Sequence, residues 1–215
     1  MAPAGTAVRP GARELPAGDR PVRAARVAAV VAALPGLVLA VAGYFHPEHL
    51  THSSSHTWWG LHVAGLFAFP LVGVALMALF RGRRDPVAAV AVLAAFVYAC
   101  AYTALDVVNG IGAGYVTWRL DASAPRPDEV RSLFEVGSPL GEVGSWALLL
   151  AAVVVSVDAL VRFGPRAAPG LLLVPGAWLV HTDHIFWPLG AIGVGLVGLG
   201  TGWLTWQSVY TQKKF

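Results

Sequence analysis

Residues 171–206 read LLLVPGAWLVHTDHIFWPLGAIGVGLVGLGTGWLTW, an apolar run in which Asp183 is the one charged residue. The run is too long for a single membrane crossing, because a helix needs roughly 20 apolar residues to span a bilayer. We divide it at the Trp187-Pro188 pair. This division predicts two membrane-spanning helices, over about 167–186 and 189–207.

Apolar runs of about eighteen or more residues recur earlier in the chain and are long enough to span. Hydrophobic residues make up 56% and charged residues 13% of the sequence, whereas about a quarter of a soluble domain is charged. We therefore predict an all-α, polytopic integral membrane protein with one transmembrane domain, residues 23–210, built as a six-helix bundle. The four earlier spans are predicted at about 24–45, 58–80, 87–110 and 139–163.

The chain ends are predicted to be tails. Residues 1–22 are rich in Ala, Pro, Gly and Arg and are expected to form a disordered basic tail. Residues 211–215 form the second tail. The first apolar run could also belong to a signal peptide cleaved near residue 42, but it is long enough to span, and we favour a retained helix.

The basic residues are distributed unevenly between the two sides of the predicted bundle. Twelve of them fall on the side of both termini and three, Arg119, Arg126 and Arg131, on the other, which accounts for all 15. The positive-inside rule then places both termini in the cytoplasm of a plasma-membrane protein. Because the arginines flank the spans, the net charge of +3 does not indicate a nucleic-acid partner.

Two motifs of the form His-x-acid-His each follow an outward-going predicted helix. One is His46-Pro47-Glu48-His49 and the other is His181-Thr182-Asp183-His184. Imidazole and carboxylate groups are costly in a membrane and commonly mark function there. Since residues three apart share a helix face, His181 and His184 are expected to point the same way. We expect the two motifs to meet in one cavity.

Other polar residues reach the same outer level. Asp106 lies about twenty residues after Pro86, which corresponds to roughly one hydrocarbon thickness. Tyr102 and Asn109 fall on the same helix face as Asp106, and Glu142 lies one turn into the next predicted span. These groups must face one another, a bound ligand or a water-filled cavity, because lipid cannot satisfy them.

Imidazole and carboxylate ligands predict a divalent transition metal, namely Zn, Cu(II) or Fe. The ligands expected at this metal site are His181, His184, His46, His49, His56 and Asp183. The residues expected to support these ligands or to relay protons are Asp106, Glu48, Glu142, His62, Tyr102 and Asn109. The sequence does not identify a catalytic residue, so whether the protein is an enzyme stays open.

Several alternatives also fit the sequence. Paired histidines on facing helices, His62 with His181 or His184, could bind haem in an electron carrier. The same polar cluster could serve a small transporter or a proton relay, or a non-catalytic membrane scaffold. The expected partners are the lipid bilayer and a hydrophobic or extracytoplasmic small molecule. The sequence contains no Walker loop, no Rossmann glycine fingerprint after a predicted strand, no nucleophile elbow and no zincin H-E-x-x-H motif.

Overall fold

A computed structural model describes residues 19–120 and 128–212, which form helices joined by short links and include no strand. Five helical stretches in these residues are long and apolar enough to cross a membrane: Val22–Tyr44, Ser55–Ala78, Pro86–Arg119, Asp128–Asp183 and Leu189–Thr211. The prediction of a helical, multi-pass membrane protein is thus confirmed. The prediction of six spans is not, because the fourth and fifth predicted spans fall within one stretch of 56 residues.

The first half of the chain forms three long helical segments. Helix α1 covers Asp19–Tyr44 and therefore includes the last residues assigned to the basic tail, whereas residues 1–18 lie outside the described part. Helix α2 covers Ser55–Ala78. Helix α3 covers Pro86–Leu105 and begins as expected, since the Asp85 carboxylate accepts a hydrogen bond from the Ala88 N–H and a proline opens the first turn.

The third segment does not end near residue 110, where the predicted span ends. A π-helical segment, Asp106–Gly112, follows α3 directly, and α4 covers Ala113–Arg119. Short π-helical insertions are rare and often occur at functional sites, because they rotate the following side chains relative to a regular helix. No motif in the sequence indicates this insertion.

The 56-residue stretch reverses direction within itself. Helix α5 covers Asp128–Phe163, a 3₁₀ segment covers Gly164–Leu172, and α6 covers Leu173–Asp183. Gly164 has a φ of +61°, a conformation that favours glycine. Helix α5 passes through Pro139 without interruption, so the predicted helix start at that proline is wrong.

The last helix, α7, covers Leu189–Gln212 and packs mainly against α1. Its glycines allow the two backbones to approach closely: a Cβ atom on Gly198 would lie 2.7 Å from the carbonyl oxygen of Ala33. Small residues commonly mediate such close packing between membrane helices.

The helices alternate in direction, so their ends collect into two groups. The histidine end contains the last residues of α1 and α6, the first residues of α2 and the π-helical segment; there His184 lies beside Tyr102 and Trp58 beside Asn109. The arginine end contains the α2–α3 link and the last turns of α5, where Arg83 contacts Asp158.

Candidate metal site at the histidine end

Three histidines from three parts of the chain converge at the histidine end. The Nε2 atoms of His46 and His62 lie 3.5 Å apart. The ring of His184 is perpendicular to that of His46, with 6.3 Å between the two centroids. His46 follows α1, His62 lies in α2 and His184 follows α6, so the site depends on the packing of all three helices.

Backbone carbonyl groups fix the tautomer of the two closest imidazoles. The Nδ1 atom of His46 lies 2.7 Å from the Pro47 carbonyl oxygen, and the Nδ1 atom of His62 lies 2.7 Å from the Trp58 carbonyl oxygen. A carbonyl oxygen can only accept a hydrogen bond, so both Nδ1 atoms carry a proton and donate. When these rings are neutral, both Nε2 atoms are unprotonated.

The facing Nε2 atoms therefore present two lone pairs to each other. Neither can donate a hydrogen bond to the other while both rings are neutral, and both histidines are buried, with exposed fractions of 6% and 5%. Burying polar atoms without a partner is costly. A cation between the two nitrogens, either a metal ion or a shared proton, would remove that cost.

A carboxylate lies beside this histidine pair. Asp106, the first residue of the π-helical segment, is 2% exposed, and neither of its oxygens has a hydrogen-bond partner among the described residues. Asp106, His46 and His62 line a common small cavity of about 10 Å³. A cavity of this size holds about one water molecule and could equally hold a single ion.

Two glycines allow the side chains of the site to approach neighbouring backbone. A Cβ atom on Gly110 would lie 2.0 Å from Cδ2 of His62, and one on Gly65 would lie 3.0 Å from Oδ1 of Asp106. Alanine at position 110 would therefore collide with the imidazole. The sequence alone does not single out these two glycines, because many other glycines occur in the apolar runs.

His184 adopts an unusual backbone conformation where α6 ends. Its φ is +52°, and it is the one described non-glycine residue with a positive φ. Such residues are uncommon and strained, and they are found disproportionately at functional sites. The ring is stacked against Tyr102 and Phe69, and its Nδ1 lies 3.3 Å from the Tyr102 hydroxyl oxygen.

Two histidines outside the five apolar helical stretches, His46 and His184, are held in the neutral form. Burial lowers the pKa of His46, and its hydrogen bond to the Pro47 carbonyl oxygen only partly opposes this shift. Burial also lowers the pKa of His184, and the neighbouring His46 and His62 lower it further. Neutral imidazole is the form that binds a metal ion.

Asn109 connects the π-helical segment to two neighbouring helices. The indole Nε1 of Trp58 donates to the Asn109 carbonyl oxygen at 3.0 Å, which holds Trp58 against the ring of His62. The Asn109 side-chain amide lies 3.2 Å from the Ser138 hydroxyl and so connects the π-helical segment to α5. The supporting roles expected for Asn109 and Tyr102 stay predictions.

The structure does not bring His181 to the other histidines. Its Nδ1 lies 2.9 Å from the Ser145 hydroxyl oxygen, and its ring packs against Trp146 and Trp178. The expectation that His181 and His184 share a helix face fails because α6 ends at Asp183, so His184 leaves the helical path.

The remaining predicted ligands are nearer the surface. His49 and Glu48 are exposed in the α1–α2 link, His56 is exposed between Trp59 and Trp118, and Asp183 accepts a hydrogen bond from the Thr182 hydroxyl. Within residues 19–120 and 128–212, no three His, Cys, Asp or Glu side chains already surround a common point. The pair His46 and His62 shares a small cavity with Asp106.

A second, larger cavity of about 540 Å³ shares His62 with the small cavity. His181, His184, Glu142 and Asp183 all line it, as expected from the sequence, whereas His46 does not. Neither of these two cavities is lined by residues of both motifs, so the expected meeting of the motifs in one cavity is not found there, although the rings of His46 and His184 lie 6.3 Å apart. This space is within the range of small-molecule binding sites.

The chain matches no protein-family model, no curated protein and no solved structure. Inferences about function thus depend on the chemistry of these side chains. Two imidazoles and a carboxylate around one small cavity can bind a divalent transition metal, and with open positions they are typical of Fe(II) sites. The sequence placed His62 and Asp106 among the supporting residues, and in the structure both line the same small cavity as His46.

Proposed function

We propose that this chain is a membrane metalloprotein that binds one divalent transition metal ion between His46 and His62, with Asp106 supplying negative charge beside it. The observation that carries the proposal is the 3.5 Å contact between two Nε2 atoms whose Nδ1 atoms both donate to carbonyl oxygens. Hydrogen bonding of the second ring nitrogen to a carbonyl is the usual support of a metal-binding histidine.

The spacing suits a shared metal ion. Zinc binds imidazole nitrogen at about 2.0–2.1 Å, and tetrahedral geometry then separates two such nitrogens by roughly 3.3–3.4 Å. The observed 3.5 Å separation needs only a small adjustment. Asp106 would complete a set of two histidines and one carboxylate, leaving further positions for water or a substrate.

We further propose that the chain crosses the membrane six times, with both termini in the cytoplasm of the plasma membrane. A straight helix of 56 residues would be roughly 84 Å long, far beyond the roughly 30 Å hydrocarbon core. The hydrogen bond between Ser145 and His181 supports two crossings within that stretch. The distribution of basic residues then places the histidine end outside the cell.

A role in catalysis is a natural extension of this proposal. The 540 Å³ cavity and the small cavity share His62 in their linings, so a small molecule bound in the larger space would lie next to a metal ligand. A metal ion at such a position can polarise a substrate or activate a water molecule. We therefore propose that the metal ion acts on an extracytoplasmic small molecule bound in the larger cavity.

The test is metal analysis of the protein purified in detergent, combined with an absorption spectrum. Wild type and the exposed double variant His49→Ala plus His52→Ala are expected to retain about one transition metal ion per chain. The double variant His46→Ala plus His62→Ala is expected to lose it, with zinc affinity lower by at least about 100-fold, since removing a supporting residue alone costs 10–100-fold.

Several outcomes would overturn the metal proposal. Wild-type protein that binds no metal even after loading would favour a shared proton between the two imidazoles. A Soret absorption band lost in His62→Ala would indicate haem instead. The variant His62→Gln, which keeps a similar side-chain volume, separates loss of the ligand from loss of the fold, and size-exclusion chromatography checks that each variant remains folded.

A further inference from the structure

The larger cavity has an uneven distribution of charge. Two acidic residues, Glu142 and Asp183, are among its lining residues, and no lysine or arginine is among the described residues that line it. Apart from its histidines, the charged side chains that line this cavity are thus all negative, which disfavours an anionic ligand and favours a cationic one.

Four aromatic side chains line the same cavity as these acids. Trp58, Tyr102, Phe134 and Phe186 all line the cavity. The indole of Trp58 is held in place by its hydrogen bond to the Asn109 carbonyl oxygen. Aromatic faces attract cations, and quaternary ammonium ligands are commonly recognised by several aromatic rings together.

We propose that this cavity binds an organic ammonium ion, namely a protonated primary amine or a quaternary ammonium ion that carries an apolar substituent. The aromatic rings would contact the apolar substituent and the cationic head, and Glu142 and Asp183 would balance the charge. The cavity volume of about 540 Å³ accommodates such a molecule.

The ammonium site does not require a metal ion at His46. The two cavities have only His62 in common. Ammonium binding is therefore expected to persist when the metal is removed, so failure of either proposal can be recognised separately. An ammonium group could come from a free amine or from a phospholipid headgroup, and both have the chemistry that the cavity recognises.

The experiment measures binding of benzyltrimethylammonium by tryptophan fluorescence, in nanodiscs of phosphatidylglycerol, which lacks an ammonium group. The comparison ligands are its neutral carbon isostere neopentylbenzene and the anion phenylmethanesulfonate. The cation is expected to bind at least about tenfold more tightly than either, as suits a charge-selective site. Titrations with and without EDTA are expected to agree.

Variants of the acids locate the site. Glu142→Gln and Asp183→Asn are each expected to weaken cation binding by about tenfold. The matched control is Glu135→Gln, which removes an exposed acid from the same helix α5 but does not line the cavity. If added phosphatidylethanolamine competes with the cation, the ammonium group comes from a lipid headgroup. If it does not compete, the ligand is a free amine.

The proposal is overturned if the neutral or anionic ligand binds as tightly as the cation. It is also overturned if Glu135→Gln weakens binding as much as Glu142→Gln does, because the effect would then be one of general surface charge. Both glutamates are exposed, so neither substitution is expected to disturb folding.

Discussion

The arginine end and the histidine end of the bundle differ in whether their charged groups have partners. At the arginine end, the guanidinium of Arg83 donates two hydrogen bonds to Asp85 and one to Asp158, and Arg162 lies 3.4 Å from the same Asp158. At the histidine end, by contrast, the buried carboxylate of Asp106 has no hydrogen-bond partner. Matched charges indicate a structural role, whereas buried and unmatched groups indicate a place for a ligand.

The pKa shifts follow the same division. Hydrogen bonds to Asp85 and Asp158 raise the pKa of Arg83, and the hydrogen bond from Arg83 lowers the pKa of Asp85. At the histidine end, burial is the main cause of the lowered pKa of His46 and His184. Partners stabilise the charged forms at the arginine end, and burial stabilises neutral forms at the histidine end.

Removal of the central cation at the arginine end is expected to have the largest effect on stability. Arg83→Ala leaves Asp158, whose side chain is 11% exposed, with only the more distant Arg162. We expect the free energy of unfolding to fall by about 2–3 kcal/mol, which lies between the losses typical of breaking an exposed ion pair and a buried ion pair. Arg162→Ala is the control and should cost less than about 1 kcal/mol. Chemical denaturation in detergent measures both, and equal effects would contradict this account of the arginine end.

Removing a charge at the histidine end is expected to raise the stability of the metal-free protein rather than lower it. Asp106→Asn removes a buried carboxylate without a partner, so we expect the metal-free protein to gain about 1 kcal/mol of stability. The same variant should bind zinc about 10–100-fold more weakly. Asp158→Asn at the arginine end should instead destabilise the protein. Denaturation with a chelator present measures the stabilities, and a destabilised metal-free Asp106→Asn would show that Asp106 has a structural partner.

Acidification is expected to destabilise the metal-free protein through the buried histidines. Because burial lowers the pKa of His46 and His184, the unfolded chain takes up protons below about pH 6.5 that the folded chain does not. The contribution of these two histidines to the free energy of unfolding is therefore fully present above that pH. It falls as the pH drops towards the lowered values, by less than about 1.4 kcal/mol per pH unit for each group.

Thermal unfolding in detergent between about pH 8 and pH 5 measures this loss. His184→Gln should flatten the dependence, whereas the exposed His49→Gln should leave it unchanged. A profile for His184→Gln that is as steep as that of the wild type would exclude His184 as a cause of the acid sensitivity.

The sequence predicted the helical membrane fold because long apolar runs leave few other structures available to the chain. It also placed Asp106 correctly at the level of the histidines, since a helix has a fixed rise per residue. It could not predict that α6 would end at Asp183, which separates His184 from His181. That separation depends on the left-handed conformation of one residue, and residue spacing does not indicate it.

The importance of His62 was also only partly predictable. A single histidine in an apolar helix gives no indication of its partner. His46 comes close to it only after the α1–α2 link has folded back, which brings the two Nε2 atoms to 3.5 Å. Likewise, no sequence motif indicates the π-helical segment that begins at Asp106.

X-ray absorption spectroscopy of the zinc-loaded protein tests the central claim most directly, because it counts the imidazoles bound to the metal. We predict two imidazole nitrogens at about 2.0–2.1 Å together with oxygen ligands in the wild type. The count should fall to one in His62→Ala and should not change in His181→Ala. A spectrum without imidazole ligands, or an imidazole count that drops in His181→Ala but not in His62→Ala, would contradict the proposed site.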